Sequence, residues 1–139
     1  MDKNSFFWKV VDGTLPLPPC AMTLGTKFAE IDGELGTVEI KFEAKPEFLN
    51  PAGNVQGGFL AAMLDDTMGP ALLATLDVGE LAATVNLNVQ FHRPAKAGLL
   101  AGKGRVVLRG KEICQLSGEL FKNDKIVAAA TATAVIRKM

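Results

Sequence analysis

Two adjacent carboxylates, Asp65 and Asp66, lie inside the stretch Asn50 to Leu76, NPAGNVQGGFLAAMLDDTMGPALLATL, and are the acids whose setting most suggests chemistry. From Gly58 onward the apolar residues, Phe59 to Leu64, Met68, Ala71 to Leu73 and Leu76, leave no polar stripe, which is the pattern of a helix buried on all sides. A carboxylate among such neighbours loses hydration, at a cost of several kcal/mol unless a partner or a reaction compensates it. The ordinary alternative is that both acids reach solvent or a second subunit. The loop in front is unusual as well. Gly53, Gly57 and Gly58, with Pro51, make a chain that bends sharply and lets a ligand approach the backbone closely. It leads into a helix N-terminus, whose unpaired N–H groups and positive dipole end suit a carbonyl oxygen gaining negative charge.

Other chemistries find less support. The only histidine, His92, precedes Arg93-Pro94 at the end of an alternating run, where a structural or surface role is expected. No G-x-S-x-G elbow accompanies it, which argues against Ser-His-Asp or Cys-His hydrolysis. Cys20 and Cys114 lack metal-ligand spacing and read as packing residues, so no metal is expected. Fifteen basic and fifteen acidic residues balance, leaving no general footprint for nucleic acid or an anionic membrane. The first residues lack a secretory signal pattern, and no apolar run approaches about 18 residues, so a cytoplasmic location is expected.

The elements that must position the acids follow from periodicity. A chain of 139 residues fits one domain, 1–139. Asn4 or Ser5 can cap a short turn through Phe6 to Val11, stopped at Gly13, and Leu15 to Cys20 reads as a connector. Thr23 to Ile31 and Leu35 to Phe42 are expected strands joined by Asp32-Gly33. After the long helix come Ala83 to Phe91, Leu99 to Arg109, Glu112 to Phe121 and Lys125 to Ile136. In the first of these, Val85, Leu87, Val89 and Phe91 share one face, with Thr84, Asn86, Asn88 and Gln90 on the other. In the second, Lys103, Arg105 and Arg109 point outward. The alanine-rich last strand must pack closely, and the long helix is its expected partner. Pro70 falls inside the helix and predicts a kink near Gly69, or a helix that stops and resumes.

These elements predict an α+β domain with an antiparallel sheet of about six strands curled around the long helix. One side of an all-apolar helix then stays uncovered unless a second subunit closes it, so at least a dimer is expected.

The order of elements, the Asn50-x-x-Gly53-x-x-Gln56-Gly57-Gly58 loop, Asp65 nine positions after Gln56, and Thr84 to Asn88 leading to Arg93-Pro94 together resemble the hotdog-fold acyl-CoA thioesterases of the phenylacetic-acid-degradation (PaaI-like) branch. The resemblance runs from about Leu24 to Arg137. It implies a hotdog fold and an acyl-coenzyme A substrate, with coenzyme A as part of the substrate and no cofactor. It also implies that Asp65 acts on the thioester or the attacking water, that the Gly57 N–H polarises the carbonyl, and that Asn50 and Thr84 support the water or substrate. Gln56 departs from the histidine usual in the family, exchanging an imidazole for an amide that donates a hydrogen bond but cannot shuttle protons near neutral pH. Asp66, about 100° further around the helix, is expected to be structural.

Gly58, Phe59 and Met68, with Met63, are candidates for substrate contact, and Arg93, Lys96, Arg109, Gly110 and Lys111 for the coenzyme A phosphates. A hotdog dehydratase or hydratase and a non-catalytic acyl-CoA-binding protein are the competing readings. Gly57 and Asp65 are eight residues apart, about 12 Å along one helix, too far to touch one thioester. Each site is therefore expected to be shared across a two-fold homodimer, which can pair again into a homotetramer.

Overall fold

Helix α3, Gly57–Leu73, is the axis on which the sheet is laid. The computed structural model describes all residues, Met1 to Met139. Alanine, leucine and methionine favour the helix, Gln56 occupies its N-cap position, and Thr75 Oγ1 closes its far end by donating to the Leu72 carbonyl at 2.7 Å. The helix passes through Pro70 without interruption, so it does not stop and resume. Pro70 is buried within the packed face, which offsets the lost bond to the Asp66 carbonyl. Leu60, Met63, Leu64, Thr67, Met68, Ala71 and Leu72 face the core, whereas Gly58 and Ala62 are exposed and Asp65, Asp66, Gly69 and Leu73 are half-buried. Within one chain α3 thus keeps an open stripe, as expected, because a single sheet covers only one side of it.

Six antiparallel strands supply that cover: β1 (Lys27–Asp32), β2 (Thr37–Ala44), β3 (Glu80–Phe91), β4 (Gly98–Arg109), β5 (Ile113–Lys122) and β6 (Lys125–Lys138). Their order is β1-β2-β4-β5-β6-β3, so β1 and β3 are the edges. Small residues bring helix and sheet together. The alternate alanines 128, 130, 132 and 134 of β6 are buried, as the alanine-rich pattern predicts. A Cβ on Gly104 would lie 2.8 Å from the Thr67 carbonyl oxygen, and one on Gly118 would lie 2.8 Å from Met68 Cγ.

Four strands carry a one-residue irregularity, at Ala29 in β1, Val85 in β3, Val107 in β4 and Val127 in β6, and those in β3 and β4 change which face a candidate residue takes. In β3, Thr84 pairs with Ala134 but Asn86 with Thr133, leaving Val85 as an extra residue. Thr84 therefore joins Leu87, Val89 and Phe91 on the helix side, not Asn86, Asn88 and Gln90 as strict alternation predicts. In β4, Val106 pairs with Leu116 and Leu108 with Gln115, so Val107 is extra. Arg109 consequently turns to the end of α3, where its Nε donates to Thr75 Oγ1 at 3.1 Å, while Lys103 and Arg105 stay on the outer face as expected.

The segment before β1 caps the C-terminal half of α3. Helix α1 (Phe6–Val11) starts after Ser5, and its Trp8 Nε1 donates to the Ala74 carbonyl at 3.1 Å while Phe7 meets Phe28 edge-on at 5.6 Å. Ser5 holds the cap position but makes no cap bond, and its Oγ is buried without a partner. Helix α2 (Pro19–Thr23) replaces the end of the expected connector and the start of the first strand, because Pro19 is pre-set for a first helical turn. A 3₁₀ turn at Pro46–Phe48, which periodicity did not signal, leads into the glycine loop.

Candidate active site

Asp65 and Asp66 both line one cavity of about 530 Å³, between α3, the α1–α2 cap and the start of β3. Its wall is mostly apolar, with Phe7, Leu24, Phe28 and Leu73 among the contributors. The two acids are held from opposite sides. Thr84 Oγ1 donates to Asp65 Oδ1 at 3.0 Å, and Thr26 Oγ1 donates to Asp66 Oδ2 at 2.9 Å. The two carboxyls do not hydrogen-bond each other, as the helical spacing predicts. The β3 irregularity makes the first contact possible, since without Val85 as an extra residue Thr84 would share the face of Asn86 and point away from α3. Burial raises the Asp66 pKa to about 6, against the lowering effect of the Thr26 bond and with a further upward push from the charge of Asp65. Asp66, for which helical spacing predicts a structural place, faces the same cavity as Asp65.

The other sequence candidates gather at the N-terminus of α3. Neither the Gly57 nor the Gly58 N–H has a protein acceptor, while the next two N–H groups, of Phe59 and Leu60, donate to the Gln56 carbonyl. Asn50 organises the loop, its Oδ1 accepting from the N–H groups of Ala52 at 3.0 Å and Asn54 at 3.1 Å. Its amide nitrogen stays free. Asn50 and Gly57 line a second cavity of about 300 Å³ together with Phe91, His92 and Arg93. A Cβ on Gly57 would lie 3.1 Å from the Phe91 ring, and one on Gly58 2.8 Å from Gln56 Oε1, so the loop glycines are set by close approach. His92, for which a structural or surface role is expected, is exposed and borders this Gly57 cavity.

Within one chain, then, the acid and the free N–H groups open into two different cavities. The remaining candidates divide. Met68 and Met63 are fully buried against the sheet and form core, not cavity wall, because they lie on the face of α3 opposite its open stripe. Phe59 stacks on Phe48 at 4.2 Å and packs on the core. Arg93 donates to the Ile126 carbonyl at 2.8 Å at the Gly57 end, and Lys96 lies close to Gly53. Arg109 sits at the opposite end of α3, beside the turn where a Cβ on Gly110 would collide with the Ile113 carbonyl, and Lys111 is exposed there.

The thioesterase superfamily model matches residues 52–129, from the glycine loop into β6. Among solved structures, a phenylacetic acid degradation-related protein from Ralstonia eutropha JMP134 is 45% identical, with a TM-score of 0.92 over 94% of this chain and 99% of that one. The PaaI protein of the Escherichia coli phenylacetic acid degradation operon is 21% identical, with a TM-score of 0.82 over 96% and 93%. A thioesterase family protein from Silicibacter pomeroyi, also 21% identical, gives 0.84 over 96% and 99%. These last two show likeness of fold, which is the hotdog fold expected from the sequence. No curated protein matches the chain.

Proposed function

Because the chain belongs to the thioesterase superfamily, with the PaaI-like architecture, we propose that it hydrolyses the thioester of an acyl- or aryl-coenzyme A to the free acid and coenzyme A. The observation that carries this reading is the pairing on one helix of an oriented acid, Asp65 with Thr84, and a terminus whose Gly57 and Gly58 N–H groups lack protein acceptors. The N–H groups would receive the thioester carbonyl oxygen as it gains negative charge. Asp65 would either take a proton from the water that attacks the carbonyl carbon, or attack that carbon itself to form an anhydride that water then opens. In both routes the carbon–sulfur bond breaks and coenzyme A leaves as a thiolate that solvent protonates. Arg93 and Lys96, on the Gly57 side, are the first candidates for the coenzyme A phosphates.

Each site would combine the Gly57 end of one subunit with Asp65 of its partner in a two-fold homodimer. The separate cavities, the open stripe of α3 and the unpaired edge of β3 support this arrangement.

The test is thiol release from a panel of acyl-coenzyme A thioesters, followed by complementation. Asp65→Asn should keep fold and assembly and lose about 10²- to 10⁴-fold in turnover. Gly57→Pro removes the N–H at the first helical position, where the backbone accepts proline but the ring must displace the Phe91 side chain, so its fold is checked first. Co-refolding inactive Asp65→Ala with inactive Gly57→Pro should recover about a quarter of wild-type activity, since half the dimers are mixed and each holds one intact site. A mixture that stays dead while mixed dimers form and Gly57→Pro is folded sinks the shared site. Binding without thiol release by the wild type favours an acyl-CoA-binding role instead.

A further inference from the structure

Asp66 is a carboxyl that the hydrolytic scheme does not use, yet it stands on the wall of the cavity that would take the acyl group. Its Oδ2 accepts from Thr26, and its other oxygen has no protein donor. Most of the wall is apolar, with Leu24, Phe28, Pro70 and Leu73; of its hydroxyls Thr26 already donates to Oδ2 and Thr84 to Asp65, and Cys20 makes no bond to Asp66. A wall built to hold plain hydrocarbon gains nothing from a half-satisfied carboxyl, whose desolvation is unfavourable unless something completes its bonding.

We propose that Asp66, held by Thr26, is a specificity-determining residue that selects acyl groups carrying a hydrogen-bond donor, a hydroxyl or an amine, within a few bonds of the thioester carbonyl. This rests on the thioesterase reading and deepens it. The position of the donor follows from the helix. Asp65 and Asp66 are consecutive, with Cα atoms about 3.8 Å apart and side chains turned by about 100°, so a carbonyl at Asp65 leaves Asp66 only a few bonds away along the acyl chain. An acyl group entering past Asp65 toward Phe7 and Leu24 runs by the free oxygen of Asp66. A donor there completes the bonding of the carboxyl; a bare methylene leaves it unpaired.

The experiment compares butanoyl- with 3-hydroxybutanoyl-coenzyme A, as turnover of the thioesters and as binding of their non-hydrolysable ketone analogues. Wild type should favour the hydroxylated member of each pair by about tenfold or more, the worth of one hydrogen bond to a charged group. In Asp66→Ala that ratio should fall to about one, and Asp66→Asn, whose amide oxygen still accepts, should restore part of it. Thermal unfolding of each variant is measured alongside. A wild type with equal affinity for both analogues, or a preference that survives in Asp66→Ala, overturns the proposal. So does an Asp66→Ala that only lowers the unfolding temperature while the ratio stands, which leaves Asp66 as a tie between the cap and α3. Should the wild type hydrolyse neither thioester, the analogue pair still decides the role of Asp66, while the hydrolytic reading fails separately.

Discussion

Asp66 gives the clearest statement about energy at the level of a single side chain. Its pKa is raised from 3.8 to about 6, chiefly by burial, so the folded protein holds the proton more tightly than the unfolded chain does. Stability from this group is complete below about pH 4 and is lost as pH rises through 6. A shift of that size corresponds to roughly 3 kcal/mol. Asp66→Asn should therefore be indistinguishable from wild type in stability near pH 4, gain on it up to about pH 6, and keep a constant advantage above. Urea unfolding of both proteins across pH 4 to 8 checks this, and a constant difference at every pH would mean that Asp66 titrates normally. Of the candidate residues, Asp65 was visible because a charge interrupts an apolar run, and Gly57 because glycines crowd a helix start. The cavity-facing position of Asp66 was hidden, since helical angle alone does not reveal that the α1–α2 cap folds over both acids.

At the level of elements, the closeness of α3 to the sheet is a strict requirement. Gly104→Ala would bring a methyl to 2.8 Å from the Thr67 carbonyl oxygen, and backbone cannot rotate aside as a side chain does. We expect a loss of about 1–3 kcal/mol in urea unfolding, whereas Gly69→Ala, with open space around its Cβ position, should not destabilise the isolated fold. Equal effects would mean that the helix floats over the sheet. Strand number and order along the chain were legible because runs of period-two alternation remain on either side of each irregularity. The faces of Thr84 and Arg109 were not, because one extra residue in β3 and one in β4 reverse the parity that alternation relies on. Short elements such as α2 and the Pro46–Phe48 turn escape periodicity altogether, having too few residues to show a repeat.

For the whole molecule the decisive feature is edge strand β3, twelve residues long, with Val85 58% and Phe91 56% exposed. Such an edge pairs readily with a second copy, and a lysine on it is a common natural block to pairing. Val85→Lys should shift the protein toward monomer in analytical ultracentrifugation and lower turnover in parallel, because separated chains keep Asp65 and Gly57 in different cavities. A monomeric variant with full activity would show that one chain suffices.

The same strand also governs the timing of folding. Its sole partner within the chain is β6, the final strand, so β3 leaves the ribosome well before anything exists for it to pair with. At about 5–20 residues per second, that wait lasts some seconds. During it β4 and β5 join β1 and β2 in the sheet against α3, while the side of the helix that β6 and β3 cover stays open. The nascent chain thus cannot close its core until β6 is made, and the uncovered side of α3 is exposed to aggregation for the length of that wait.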